Sequence, residues 1–191
     1  MSTTKMKIYL AGKVPKGAEI GTAKDWRQEY VEQLSQSGSF EFLSPENPLL
    51  DESQPLIVFG HDCYLVRECD ILVVDASAKL GVGSAQEMVI AKYFGKYVYT
   101  VLPRDTHHRR SNLQMHDFVV EDWIHPFVFA FSDRIFDDVP SLALFLAENR
   151  DSLLKEPLCR LDRIEESVRQ YEVFMSEADS EPDLSLHAVC K

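Results

Sequence analysis

The hydrophobic pattern is sharpest between residues 59 and 98. Asp70-Ile71-Leu72-Val73-Val74-Asp75 is a short, β-branched apolar run with a carboxylate at each end, the signature of a strand buried on both faces. A small-residue loop, 76–83, follows it. Ser84 then opens a helical pattern carrying Glu87, Met88, Ile90, Ala91 and Phe94, Gly95-Lys96 closes it, and residues 97–102 read as the next strand. A strand-loop-helix-strand unit of this length predicts a right-handed crossover in a parallel sheet. Upstream, 7–11 and 40–43 read as strands. The apolar spacing of Trp26, Tyr30, Val31 and Leu34 predicts a helix between them, opened by a capping-box-like Thr22-x-x-Asp25 and stopped by Gly38. The three prolines of 44–55 predict an irregular loop, with a helix over 56–69 after it. Downstream, the pattern predicts a polar basic loop at 103–111, a short helix over 112–120, a last strand at Phe127–Phe131 and a helix from Pro140 to about Lys155. The expected organisation is one α/β domain over 5–155 and an extension over 156–191. In the extension, 158–175 reads as a charged helix and 176–191 as a disordered polar tail.

The net charge of −11 argues against a nucleic-acid-binding surface, since polyphosphate would be repelled. No apolar run approaches the ~18 residues of a membrane span. The first strand follows the N-terminus directly, without a signal-peptide core, and the four cysteines form no CxxC pair, so a reduced, cytoplasmic protein is expected.

Parallel sheets seat ligands beyond the carboxyl ends of their strands, which here brings Asp75, Gly81, Gly83, Ser84 and Glu87 into play. The usual chemistries fail. GxGxxQ at 81–86 lacks the third glycine of a dinucleotide fingerprint, and Gly12-x4-Gly17 is followed by Ala-Glu, so it is not a phosphate loop. There is no HExxH, no Cys/His cluster and no GxSxG elbow; no metal or cofactor is expected, and His107-His108 read as solvent-exposed. What remains is carboxylate chemistry. Glu87 is either the partner of Ser84 in a capping box or a nucleophile facing the strand edge. Asp62 is a solvated helix charge or the second carboxylate of a pair. Asp70 satisfies backbone amides, and Asp75 binds a ligand hydroxyl. Two carboxylates beside one pocket suit glycosidic chemistry.

In that order and spacing, Ile8-Tyr9-Leu10-Ala11-Gly12, Asp62-x7-Asp70-Ile71-Leu72-Val73-Val74 and Gly81-x-Gly83-x3-Glu87-x3-Ala91-x3-Gly95-Lys96-x-Val98 resemble the nucleoside 2-deoxyribosyltransferase family, which includes the deoxynucleoside 5′-monophosphate N-glycosidases. The resemblance runs from about Lys7 to Met115. It implies a flavodoxin-like, doubly wound parallel sheet with flanking helices. It also implies metal-free cleavage of the N-glycosidic bond of a nucleoside or nucleotide, through a covalent deoxyribosyl-enzyme on Glu87. Asp62 would contact the base and move its proton, Tyr9 would set the nucleophile, and Gly12 would join the substrate-binding set. Asn112 would be supplied by a neighbouring subunit, which implies a homo-oligomer with shared sites. Where transferases carry an aspartate before the glycines, this chain has Lys79 or Leu80. Arg109, Arg110 and Ser111, beside Asn112, form either a solvated loop or a 5′-phosphate clamp. Three functions follow as alternatives: a nucleoside deoxyribosyltransferase, a nucleoside 5′-monophosphate N-glycosidase, and a nucleotide-binding module without turnover.

Overall fold

The computed structural model of the chain describes residues 5–13, 26–149, 152–155, 158 and 160–180. The proposed cap at Thr22 and most of the 12–21 loop lie outside the described residues. The chain divides into two compact units, Met1–Arg160 and Leu161–Lys191.

The first unit is a parallel sheet wrapped by helices. Its elements in order are β1 (Met6–Ala11), α1 (Trp26–Ser37), β2 (Phe40–Leu43), α2 (Pro55–Glu68), β3 (Ile71–Asp75), α3 (Val82–Tyr93), β4 (Tyr97–Val101), a hairpin of β5 (Arg109–Met115) and β6 (Phe118–Ile124), α4 (Pro126–Phe131), β7 (Arg134–Phe136) and α5 (Val139–Asn149). A single 3-10 turn, Leu153–Lys155, follows. The five parallel strands run β2-β1-β3-β4-β7, with β5 and β6 paired antiparallel in a separate ribbon. This is the doubly wound, flavodoxin-like order, whose direction of winding reverses between β1 and β3.

Strand alternation assigns the two faces. Ile8, Leu10, Ile71, Val73, Tyr97, Tyr99 and Val101 form one core with Tyr30 and Leu34 of α1 and Leu142 and Leu146 of α5. The intervening residues Tyr9, Ala11, Leu72 and Val74 turn to the opposite face, where α2 and α3 pack. Every residue of β3 and β4 is buried, as a strand covered on both sides requires. Asp70, just ahead of β3, accepts the Lys7 amide at 2.8 Å and so ties the start of β1 to β3. Gly95, at φ +66°, turns the chain out of α3 in the left-handed conformation that costs glycine least, and the Lys96 amide caps the Ala91 carbonyl at 2.8 Å.

Four expectations are corrected. Residues 109–124 form a hairpin, not a helix over 112–120. Burial alternates along its first strand, and Asn112 (φ 51°) and His116 (φ 48°) take the left-handed turns it needs. Phe127–Phe131 is helical, since Pro126 presets the first turn and five apolar residues in a row carry no period. The last strand is the shorter Arg134–Phe136. In the second unit the terminal helix α6 runs Asp162–Ser180, so residues 176–180 are helical, not part of a disordered tail. Residues 181–191 lie outside the described set.

Candidate active site

The site is built where β1 meets the helices of its outer face. Tyr9 is on β1, paired in register with Leu72 of β3 and Leu43 of β2, and its side chain rises toward α3. α3 begins one residue after Gly81, the N-cap, and no side-chain hydrogen bond caps it. Ser84 is therefore inside the first turn and Glu87 in the second, so the capping-box alternative for Ser84 and Glu87 is overturned: the N-cap falls three residues too early for it. The carboxylate is instead held by Tyr9, whose hydroxyl donates to Glu87 Oε1 at 2.9 Å in a buried contact. Glu87 is only 8% exposed and Tyr9 3%.

Burial pushes the Glu87 carboxyl above its ordinary value. The Tyr9 hydrogen bond pulls it back, the Asp62 carboxylate pushes it up again, and the Arg27 guanidinium lowers it. Tyr9 is held far above the ordinary phenol range, first by burial and then by the Glu87 charge, so it stays a donor. Asp62, on α2, is also raised by burial, and is lowered by His61, whose Nδ1 lies 3.4 Å from Asp62 Oδ1. That separation is within ion-pair range and long for a hydrogen bond. With its side chain 43% exposed, Asp62 keeps contact with solvent while sharing the field of Glu87. Burial raises both carboxyls, and the Asp62 charge adds to the rise at Glu87.

The sheet edge beyond β1 and β3 has its own construction. A Cβ on Gly12 would meet Trp26 Cζ2 at 2.6 Å and Asp75 Cβ at 3.2 Å, so only glycine lets the chain leave β1 at that point. Trp26 donates its indole N–H to the Lys13 carbonyl at 2.9 Å. Asp75, expected to bind a ligand hydroxyl, is 8% exposed. Its Oδ1 accepts the Tyr30 hydroxyl at 3.1 Å and the Ser77 amide at 3.1 Å. Gly81 and Gly83 have open space around them, and Ser84 is buried.

The sequence-predicted residues thus divide. Tyr9, Glu87 and Asp62 share one field on the α2/α3 face, and Gly12 and Asp75 form the adjoining β1/β3 edge. Arg109 belongs elsewhere. Its guanidinium grips Asp122 through Nε (2.8 Å) and Nη2 (2.7 Å), donates to the Leu102 carbonyl (3.0 Å) and pairs with Asp137, which commits it to fastening the hairpin. Arg110 and Asn112 stand exposed on β5, and the Ser111 amide donates to Asp105. His108, expected in solvent, is buried, with Nε2 accepting the Leu80 amide at 2.9 Å; His107 is exposed. No cluster of metal-ligating side chains exists among the described residues, and no helix among them is long and apolar enough to cross a membrane.

Sequence reasoning missed Arg27, which donates to the Leu10 carbonyl at 3.4 Å, stacks over Trp26 and tempers Glu87. It also missed the Tyr30–Asp75 bond. Both residues lie on a helix whose spacing announced only a core face.

No protein-family model matches the chain, and no curated protein matches it in sequence. Solved structures do. One described as the 2-desoxiribosyltransferase from Leishmania mexicana matches with a TM-score of 0.52 at 19% identity, over 74% of this chain and 97% of its own. The chain has the fold of that enzyme. Two further structures match over similar spans: the 2-deoxyribosyltransferase of Bacillus psychrosaccharolyticus (TM-score 0.48, 16% identity, 72% of this chain and 90% of its own) and the CMP N-glycosidase BcmB of Clostridium botulinum (TM-score 0.44, 14% identity, 73% and 96%). In a doubly wound sheet of this order the crevice lies at the carboxyl edge between β1 and β3, and in this chain that edge is Gly12, Asp75 and the loop leading to α3.

Proposed function

We propose that this protein cleaves the N-glycosidic bond of a 2′-deoxynucleoside and transfers the sugar, in the manner of a nucleoside 2-deoxyribosyltransferase. The observation that carries the reading is the buried Tyr9–Glu87 hydrogen bond, with Asp62 in its field, on a fold shared with a deoxyribosyltransferase. In this reading a Glu87 oxygen attacks C1′. The C1′–N bond breaks, its electron pair leaves with the base, and the base nitrogen takes a proton from Asp62. The sugar is then an ester of Glu87. A second base attacks C1′, returns its proton to Asp62 and frees the carboxylate. Tyr9 keeps the attacking oxygen oriented and anionic, and Arg27 adds to that stabilisation at longer range. Gly12 leaves room above β1. Gly81, Gly83 and Ser84 line the substrate edge in this scheme, and Asp75 buttresses it through Tyr30. Asn112, exposed on its hairpin, is free to reach a neighbouring copy, in keeping with a homo-oligomer that shares its sites.

The engagement of Arg109 by Asp122 and Asp137 removes the central member of the supposed phosphate clamp. This favours an unphosphorylated nucleoside over a 5′-monophosphate. The test is product analysis. Incubation with a deoxynucleoside and a free acceptor base should yield the exchanged deoxynucleoside, and mass spectrometry should find a deoxyribosyl adduct on Glu87. Release of free sugar without exchange would make the protein a hydrolase. Nucleotide binding without turnover would make it a binding module.

A further inference from the structure

One polar contact outside the carboxylate pair reaches the loop that feeds α3. The Leu80 amide donates to His108 Nε2 at 2.9 Å. Leu80 stands one residue before Gly81, the N-cap of α3, and that helix has no side-chain cap of its own. Gly81 adds backbone freedom at the same point, with open space where a side chain would be. The entry to the helix that carries Glu87 therefore takes its position from a partner outside it. That partner is anchored: the His108 carbonyl accepts the His125 amide at 2.9 Å, next to the Arg109–Ile124 pair of the hairpin.

The bond also fixes the protonation of the ring. A ring nitrogen that accepts an N–H carries no proton, so the neutral imidazole holds its proton on Nδ1. His108 is buried, and its Nδ1 meets no partner among the described residues. Its titratable neighbours are His107 and His125, beside the open end of the hairpin, and Lys79 in the loop, all cationic when charged. α3 and α4 border the same apolar hollow of about 260 Å³ with Met88, Val89, Phe127, Val128 and Phe131, which carry no charge. Burial first, and then those neighbours, push the ring below its ordinary 6.5.

We infer that neutral His108 is a positioning residue that holds the loop into α3 through the Leu80 amide, and that a second proton, on Nε2, releases it. The doubly protonated ring would set N–H against N–H. The effect on turnover rests on the deoxyribosyl-transfer reading, in which Gly81, Gly83 and Ser84 line the substrate edge; the tie itself does not. With its folded pKa depressed, His108 contributes stability that is present above 6.5 and is lost as pH falls toward and through the folded value.

The test is amide exchange at Leu80 in the full chain, corrected for the intrinsic rate, from about pH 7.5 to about pH 5. Wild type should lose protection by about tenfold per pH unit once the ring titrates, while the β3 and β4 amides keep theirs. His108→Gln offers an oxygen where Nε2 stood and gains no proton, so its Leu80 protection should stay flat. His108→Leu should lose about tenfold at neutral pH. Nitrogen NMR of wild type at neutral pH should find the proton on Nδ1. With a deoxynucleoside and an acceptor base, KM should rise as pH falls in wild type and not in His108→Gln. A proton on Nε2 at neutral pH, flat protection in wild type, or a His108→Gln protection profile that falls as wild type does would overturn the tie. An intact tie with identical KM profiles in wild type and His108→Gln would overturn its positioning role. Absence of turnover in wild type would count against the transfer reading, and the exchange data would still decide the tie.

Discussion

The Tyr9 hydroxyl donates to Glu87 Oε1 across 2.9 Å, joining a strand residue to a helix residue 78 positions later. The bond crosses from the first parallel strand to the helix after the third. It exists only when the β1-β3 register and the α3 packing are both correct. It also makes the ionisation of Glu87 depend on a group that a single substitution removes.

Tyr9→Phe keeps the ring in the core and deletes the donor. A hydrogen bond to a charged group is worth about 1.5–3 kcal/mol, or roughly ten- to a hundredfold in rate if the anion is the reacting form. The expected outcome is a loss of that size in kcat/KM, with the acid limb of its pH profile moved to higher pH because Glu87 loses the bond that lowers its pKa. An unchanged profile would exclude Tyr9 from the control of Glu87.

Glu87→Gln separates stability from activity. Burial raises the folded-state pKa of Glu87 above its ordinary 4.5. The folded protein therefore holds this proton more tightly than the unfolded chain, and the group costs stability as pH rises through and above that value. The amide retains an oxygen for Tyr9 without the charge. The variant should melt higher than wild type at pH 7, the difference should vanish well below pH 4.5, and turnover should be lost. A lower melting temperature at pH 7 would contradict the burial cost.

Asp62→Asn removes the proposed proton donor and leaves the fold intact, since the side chain is nearly half exposed. General acid catalysis contributes about 10²–10⁴-fold. The loss should be large for substrates whose base leaves poorly and small for those with an activated leaving group. An equal loss across a leaving-group series would assign Asp62 to binding alone.

Gly12→Ala places a methyl 2.6 Å from the Trp26 ring. Either the ring or the strand end must move, at a cost of about 1–3 kcal/mol. Calorimetry should show that loss, and KM should rise because the β1/β3 edge is displaced. A neutral substitution would mean that Trp26 swings away freely.

Arg109→Met tests the hairpin clasp. The side chain is 8% exposed, and the change leaves Asp122, Asp137 and the Leu102 carbonyl without their donor. A loss of about 1–3 kcal/mol is expected, together with faster amide exchange in residues 109–124. Deoxynucleoside turnover should fall less than in the Tyr9, Glu87 or Asp62 variants.

Legibility in the sequence followed the strength of the local pattern. The strands at 71–75 and 97–101 stood out because burial on both faces demands unbroken β-branched or aromatic runs, and Gly95 marked the end of α3 because its positive φ demands glycine. The hairpin at 109–124 did not, because it is held by the Arg109–Asp122 pair and by left-handed Asn112 and His116, none of which leaves a hydrophobic period. Phe127–Phe131 misled for the opposite reason: a uniformly apolar pentapeptide fits either element, and Pro126 decides it. At the site, Glu87 and Asp62 were visible from spacing and resemblance, whereas Arg27 and the Tyr30–Asp75 bond are products of tertiary packing. The start of α3 at Val82 was hidden because three small residues precede any apolar period.

β4 and β7 lie side by side although residues 102–133 intervene. The Asp133 amide reaches the Val98 carbonyl at 2.8 Å, the Asp133 carboxylate takes the Val98 amide at 2.7 Å and the buried Lys92 ammonium, and the Leu102 amide meets the Phe136 carbonyl at 2.8 Å. The seam is sewn at both ends by atoms outside the ribbon it encloses. The pairing of β4 with β7 therefore carries its own fastenings, and the sheet that seats α2 and α3 stays closed at this edge without drawing on the hairpin's own ladder.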